Sequence, residues 1–252
     1  MLFSLVNLVF FKIERVMIVV NNGLYRQVLF ANKVNSRDYF VACIYGNYKG
    51  RKIPCFFKKH KSLTSKIDLS KTEEELLAQM KSNYRNEVRK AEPQGISFTI
   101  STDVEKFVRD YNDFAEQREG LSKININSVN KYPDIIITNA EYQGNCIVSH
   151  VTYVDRDEKT AVLLYSTSVR LNTEIDKKIV GYANKYLHYK DFCYLKSNGY
   201  LVYDFAGVTL DPNDTERYGI GLFKKGFGGE LVEELTLYSP IMYLLMKIKG
   251  RK

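Results

Sequence analysis

Hydrophobic and polar positions along the chain alternate between two periods. Apolar runs at 16–20 and 24–30, joined by Asn21, Asn22 and Gly23, predict a hairpin, because Asn-Gly supplies the positive φ of a tight turn. Runs at 39–45 and 53–57 predict a second pair of strands turned between Asn47 and Gly50. The period then becomes helical. Leu76, Leu77, Met80, Tyr84, Val88 and Ala91 share one face, so 72–92 reads as one amphipathic helix. Thr72 and Glu75 make its capping box, and Pro93 and Gly95 end it. Strand 96–101 and helix 104–119 follow, the helix carrying Phe107, Val108, Tyr111, Phe114 and Ala115 on one side. Runs at 135–142, 145–153 and 160–168 predict three consecutive strands. Beyond them lie a helix at about 176–197, a strand at 201–205, a loop, a strand at 230–237 and a short helix at 241–248.

This order predicts an α+β (α/β) domain, a mixed and mainly antiparallel central sheet flanked by helices. It spans 71–252, with 1–70 a β-rich N-terminal extension packed on it. With 252 residues, 45% of them hydrophobic, the chain has the composition of a globular protein and not of a disordered or polytopic membrane one. Trp is absent, so 19 Tyr and 14 Phe supply the aromatic mass of the core. Residues 1–11 are strongly apolar but fall short of the roughly 20 needed to span a bilayer. Three readings stay open for them: an element packed on the core, an interfacial anchor, or sequence preceding a start at Met17.

Lys and Arg number 37 against 29 Asp and Glu, a net charge of +8, which suits anionic partners. Basic residues crowd at Lys49, Arg51, Lys52, Lys58, Lys59 and Lys61, and Lys81, Arg85 and Arg89 stand four apart on the predicted helix. Cys43, Cys55, Cys146 and Cys193 show no Cys-x-x-Cys spacing and read as reduced thiols. His60, His150 and His188 are isolated, so no metal site is expected.

The most informative joint is strand 160–168, loop, helix, strand 201–205. A helix entered this way offers free N–H groups and its dipole to an anion. The string Lys178-x-x-Gly181-x-Ala183 lies at that entrance, where Gly181 either lets a backbone approach a diphosphate or allows close helix packing. Asp204 ends the following strand beside a Gly-containing turn, as a candidate base or as a carboxylate that accepts turn N–H groups. Lys224 is a candidate partner for an oxyanion or phosphate. Tyr165 and Tyr203 are possible late proton donors, and His188 reads as structural.

Four strings together resemble a family: YRNEVRKA at 84–91 with Gly95 after it, GYANKYLH at 181–188, GYLVYDFAG at 199–207 and GLFKKGFGG at 221–229. The region resembles the Gcn5-related N-acyltransferase (GNAT) fold. It looks most like the Fem branch, the aminoacyltransferases that build peptidoglycan cross-bridges, and their single-domain acetyltransferase-like relatives. The resemblance implies transfer of an acyl group to an amine. It places Lys178, Gly181 and Ala183 on the diphosphate of acyl-CoA (acetyl-CoA), Lys224 at developing negative charge, Asp204 near the reacting centre, and Arg85, Arg89 and Phe223 at the acceptor. The chain departs from the family in having room for one such domain, in Lys178 where Arg or Gln is usual, and in Ala206 where a Gly is usual.

The leading expectation is therefore an N-acyltransferase using acyl-CoA on the amine of an amino sugar, for a bacterial surface polysaccharide or the cell envelope. The alternative is a Fem-type aminoacyltransferase using aminoacyl-tRNA on a lipid-linked peptidoglycan precursor. Neither needs a metal. Both suit a cytoplasmic protein in peripheral contact with the membrane, through the apolar start and through 238–252, which ends in Lys247, Lys249, Arg251 and Lys252. A non-catalytic nucleic-acid or membrane-binding module that kept the fold is a third reading, supported only by charge.

Overall fold

The computed structural model describes residues 18–21, 24–118, 121–170 and 175–250. The readings of 1–17 and of the turn at 22–23 lie outside these residues. In chain order the first elements are β1 (Ile18–Asn21), β2 (Arg26–Leu29), a 3-10 turn at Ser36–Tyr39, β3 (Cys43–Gly46), β4 (Lys58–Asp68), α1 (Glu73–Ala78), α2 (Ser82–Ala91), β5 (Ile96–Ser101), α3 (Val104–Glu116) and α4 (Ile126–Asn130). Then come β6 (Ile135–Tyr142), β7 (Asn145–Asp155), β8 (Thr160–Ser168), α5 (Lys177–Ser197), β9 (Val202–Val208), α6 (Thr215–Lys225), β10 (Glu230–Tyr238) and α7 (Pro240–Lys249).

The chain forms two compact units, one of residues 1–60 and 235–252, the other of 61–234. The division differs from the expected 1–70 and 71–252. The cause is β10, whose end pairs antiparallel with β3 (Leu237↔Tyr45) and so ties the C-terminal segment to the N-terminal one.

In the first unit β1 and β2 form the expected hairpin, Ile18↔Leu29 to Asn21↔Arg26. The second expected pair does not form. β3 lies parallel to β2 (Arg26↔Cys43), and residues 53–57 are a turn in which Phe56 holds a φ of 68°. Pro54 has no N–H to give a ladder, which turns the run away from strand. Val28, Cys43, Tyr45, Tyr48, Phe57 and Leu237 make the core of this unit. Asp38 is buried there, with the Arg26 guanidinium 2.8 Å away and the Tyr45 hydroxyl donating to it.

In the second unit the strand order is β10-β4-β9-β8-β7-β6-β5. β5 to β8 form an antiparallel meander, and β9 is antiparallel to β4. β8 and β9 pair parallel, with α5 as the crossover between them. α5 and α2 pack on one face, over Ala140 and Val148, and α3 packs on the other, over Ile137 and Val151. Each pair of sheet residues is an odd number of positions apart along its strand, so the pleat turns them to opposite faces. The expected mixed, mainly antiparallel sheet with flanking helices is thus present.

Three local expectations are corrected. The helix expected at 72–92 is two helices. Lys81 is extended (φ −53°, ψ 146°) and its N–H goes to the Gly226 carbonyl, 2.9 Å, in place of a helical partner. The loop expected after 205 contains α6, obscured in the sequence because Gly219 and Gly221 are weak helix formers. No strand is expected at 58–68, yet β4 extends over Lys58–Asp68 with almost no apolar alternation, because its buried positions include Thr64 and Ser65.

Candidate active site

The parallel pairing of β8 with β9 runs from Thr160↔Val202 to Val162↔Asp204 and stops, although the strands continue to Ser168 and Val208. The opposite neighbour is irregular at the same level: the β4–β9 register shifts between Thr64 and Lys66. Ala206 there takes a left-handed backbone, φ 55°. A bulge and a split between strands leave peptide groups without ladder partners, and such places re-aim side chains at functional sites.

Asp204 sits at the split and is buried. Its Oδ1 accepts from the Thr64 hydroxyl and from the Ala206 N–H, 2.8 Å. Its Oδ2 lies 3.4 Å from Lys66 Nζ, which also lies 3.2 Å from Glu234 Oε1. Burial, and then the charge of Asp204, raise the Glu234 carboxyl above its ordinary value, while Lys66 pulls it down. For Lys66, burial acts downward, but Asp204 and Glu234 outweigh it and the ammonium is held above its ordinary value. Ser65 Oγ is buried beside this group with no hydrogen-bond partner.

Lys224, from the last turn of α6, reaches the same place. Its Nζ donates to the carbonyls of Phe205 (2.8 Å), Ala206 (3.3 Å) and Gly207 (2.8 Å). One ammonium thus gathers three consecutive carbonyls of β9 at the level of the split. Burial lowers the Lys224 pKa from 10.5 to about 8, against the pull of Asp204. Perturbed amines and carboxyls gathered at one point are a recurrent mark of reaction centres.

Below this cluster His188 packs against Phe205, Phe223 and Phe227, ring centroids 4.9–5.7 Å away. Burial drives its imidazole well below 6.5, helped by His150 and Lys224. His188 stacks on His150 (4.2 Å), whose Nδ1 lies 2.7 Å from Asp191 Oδ2, and Thr138 donates to Asp191 Oδ1 at 2.7 Å. Two of the three histidines isolated in sequence, His150 and His188, thus meet in space. His150, His188 and Asp191 present donor atoms within 4.8 Å of one another, and His150 Nε2 has no partner. Burial pushes the Cys146 and Cys193 thiols up to about 11, unsuited to nucleophilic work.

The structure brings Asp204, Lys224 and Phe223 together and separates the rest. Lys178 is exposed in the first turn of α5, its N–H bonded to the capping Asp176. Gly181 is the fifth residue of that helix, past the four amides a helix leaves free, and its carbonyl accepts from Lys185. Ala183 is fully buried against α2. Helix packing therefore claims Ala183, whereas a Cβ at Gly181 would meet only Glu87 Oε2, at 3.8 Å, and neither residue offers a free first-turn amide. Arg85 donates to the carbonyls of Ala78 and Met80 and so closes the end of α1. It borders, with Arg89, Glu74, Leu77 and Ala78, a shallow depression of about 340 Å³. Lys81 precedes α2, so the expected row of three cations is broken. Thr64, Lys66 and Glu234 escaped the sequence reading. Polar residues alternating at 64, 66 and 68 inside a run that keeps Leu63, Ile67 and Leu69 were the available signal.

No family model matches the chain. A stretch of 74 residues, 27% of the chain, is 34% identical to lipid II:glycine glycyltransferase of Staphylococcus aureus, and covers 18% of that enzyme's length. The chain therefore spans about a fifth of this relative. Among solved structures, FemX superposes with a TM-score of 0.65 at 14% identity, over 92% of this chain and 85% of that one. The C-terminal domain of a putative lysylphosphatidylglycerol synthetase from Agrobacterium fabrum gives 0.63 at 10% identity, over 92% and 84%. Fold and shared stretch together make the chain similar to the Fem-like branch of the GNAT-related acyltransferases.

Proposed function

We propose that the chain is an N-acyltransferase of the Fem type, which moves an aminoacyl group from aminoacyl-tRNA to the amine of a lipid-linked cell-envelope precursor. The observation that carries this reading is the cluster of Lys224, Asp204, Lys66 and Glu234 at the split between β8 and β9. The attacking amine must be neutral and the tetrahedral oxyanion needs a cation. Glu234, its affinity for protons raised by burial and by Asp204, takes the amine proton as the new C–N bond forms. Lys224 exchanges one backbone carbonyl for the oxyanion. The ester C–O bond then breaks and the leaving 3′-hydroxyl receives the proton from Glu234. Asp204 and Lys66 hold the two groups in place.

A second reading, acyl-CoA as donor and an amino sugar as acceptor, is favoured by one feature. Lys177 and Lys178 stand exposed in the first turn of α5, where a diphosphate gains from cations and helix dipole alike. The test is transfer of radiolabel from glycyl-tRNA or from acetyl-CoA to a lipid-linked muropeptide or to a nucleotide amino sugar. Label moving from tRNA, with a kcat loss of about 10²–10³-fold in Lys224→Met, supports the first reading. Label moving only from acetyl-CoA, with KM raised by Lys178→Ala, replaces it by the second. No transfer from either donor overturns both.

A further inference from the structure

Charge is divided unequally between the two units. Residues 1–60 and 235–252 hold 14 Lys and Arg against 2 Asp and Glu, a net +12, whereas 61–234 carries −4. Of the two acids in the first unit, Asp38 is buried and paired to Arg26. Among the described residues Lys33, Arg37, Lys49, Arg51, Lys52, Lys58, Lys59, Lys247 and Lys249 of this unit are exposed.

The same unit holds α7, none of whose residues is buried. Ile241, Leu244, Leu245 and Ile248 follow the i, i+3, i+4, i+7 pattern of an apolar helix stripe. In a helix resting on its own protein that stripe is covered. Here it is the outward one, with Leu244 55% and Ile248 57% exposed. Met242 and Tyr243 are half-buried, and Lys58 and Lys247 lie over the Tyr243 ring at 5.8 and 5.1 Å. Lys247 and Lys249 stand in the last turn, and Arg251 and Lys252 follow in sequence. The stripe continues at its N-terminal end. Ser239, the N-cap of α7, donates to the Val41 carbonyl at 2.7 Å, and Val41 and Phe40 are exposed, Phe40 by 84%.

We propose that α7, together with the Phe40–Val41 loop, docks the protein on an anionic lipid surface, the aliphatic stripe entering the headgroup boundary and the surrounding lysines meeting lipid phosphates. The chemistry selects this occupant. A second copy would set Lys247 and Lys249 against cations, because the helix contains no acid. A nucleic acid would satisfy the charge but gives four aliphatic side chains nothing to bury against. The inference does not depend on the acyl-transfer reading.

Cosedimentation of the full chain with vesicles tests it, using phosphatidylglycerol and phosphatidylcholine in equal parts against phosphatidylcholine alone, with pooled tRNA as competitor. Binding is expected to the anionic vesicles only, and to weaken as salt shortens the Debye length. Lys247→Gln with Lys249→Gln is expected to lower partitioning by about fivefold per lysine. Leu244→Gln with Leu245→Gln is expected to lower it at least tenfold, while thermal unfolding and tRNA binding stay as in the parent, since both positions are exposed. Absence of vesicle binding overturns the proposal. So does vesicle binding that survives the double leucine substitution or that tRNA alone accounts for. Donor transfer assays on the same variants without vesicles read the chemistry separately.

Discussion

Ala206 holds a left-handed backbone, φ 55°, and its carbonyl accepts a hydrogen bond from Lys224 Nζ at 3.3 Å. The two features belong together. The reversed peptide turns the carbonyls of 205–207 toward one point, and the ammonium occupies it. An L-residue pays about 1–2 kcal/mol for that φ, and glycine does not. Glycine also costs about 0.5–1 kcal/mol more to order from the unfolded chain. Ala206→Gly is therefore expected to stabilise by up to about 1 kcal/mol, read as a higher urea midpoint with an unchanged slope. A lower midpoint would show that the Ala206 methyl packs against something that matters more than its strain.

The Lys224 amine, lowered to about 8, sets a pH limit on any role it has as a cation. It is charged below that value and neutral above it. Under the proposed mechanism kcat falls as pH rises through about 8. Lys224→Arg retains the charge and moves the fall to higher pH, whereas Lys224→Met removes both the limb and most of the rate. The stability effect has the opposite direction. Between about 8 and 10.5 the unfolded chain binds the proton that the folded one has lost, so the parent gains stability relative to Lys224→Met as pH rises across that window. Urea midpoints of the two proteins at pH 7.5 and pH 10 check it.

Glu234 sets the other limb. Its carboxyl titrates above 4.5, through burial and the neighbouring Asp204, and Lys66 opposes the rise. Lys66→Met removes that opposition, so the acid limb of kcat/KM is expected to move to higher pH. Glu234→Gln is expected to abolish the limb with a loss of about 10²–10⁴-fold, the usual worth of a general base. A limb that stays where it was in both variants would assign the proton to another group.

The sheet-rich half of the second unit was legible in the sequence because its signals are local. β6, β7 and β8 are apolar, β-branched runs that turn at Gly144 or at the polar run 155–159, and α5 reads as a helix over its whole length. The site was legible only where a motif marked it, at Asp204 and Lys224. Thr64, Lys66 and Glu234 come from strands whose polar side chains are held inside by each other, and the alternation around 64, 66 and 68 marks a strand without marking its polar face as the inward one. The K-x-x-G-x-A string shows the limit of spacing read alone. Its Ala183 is buried where α5 meets α2, and its Gly181 lies past the free amides of the first turn.

The GFGG part of the string at 221–229 has a structural account with its own test. A Cβ at Gly226 would lie 2.4 Å from the Tyr84 ring, which Phe223 and Phe227 hold from its other sides. A Cβ at Gly228 would lie 2.3 Å from the Gln79 carbonyl oxygen, at a φ of 80°. These contacts join α6 to the break between α1 and α2. Gly226→Ala is expected to cost about 1–3 kcal/mol by overpacking, and Gly228→Ala about 3 kcal/mol or more, since strain adds to the clash with a backbone atom that has little room to move. Glycine at 95, where nothing lies near the Cβ position, is the control for strain alone, since its φ of 84° is comparable. Gly95→Ala is expected to fall between the parent and Gly228→Ala in chemical denaturation.

His188 makes the fold sensitive to acid. Its ring is buried among Phe205, Phe223 and Phe227, stacks on His150, and receives the Tyr203 hydroxyl at Nδ1, 3.4 Å away. Every group facing it disfavours a second proton. The aromatic rings withhold solvent, His150 and Lys224 bring positive charge, and the Tyr203 bond is lost when Nδ1 is protonated. Asp191 is engaged by His150 and Thr138 and leaves no carboxylate oxygen for His188. In the unfolded chain the same imidazole titrates near 6.5. Above that pH neither state binds the proton and stability is full. Below it the unfolded state alone gains a proton, and stability falls by up to about 1.4 kcal/mol per pH unit until the folded ring is forced to charge. His188→Phe keeps the ring packing and removes the proton site. It is expected to be less stable than the parent at pH 7.5, through the lost Tyr203 bond, yet to lose less stability on going to pH 5. Urea midpoints of both proteins at the two pH values decide it, because parallel losses would place the acid sensitivity in another group.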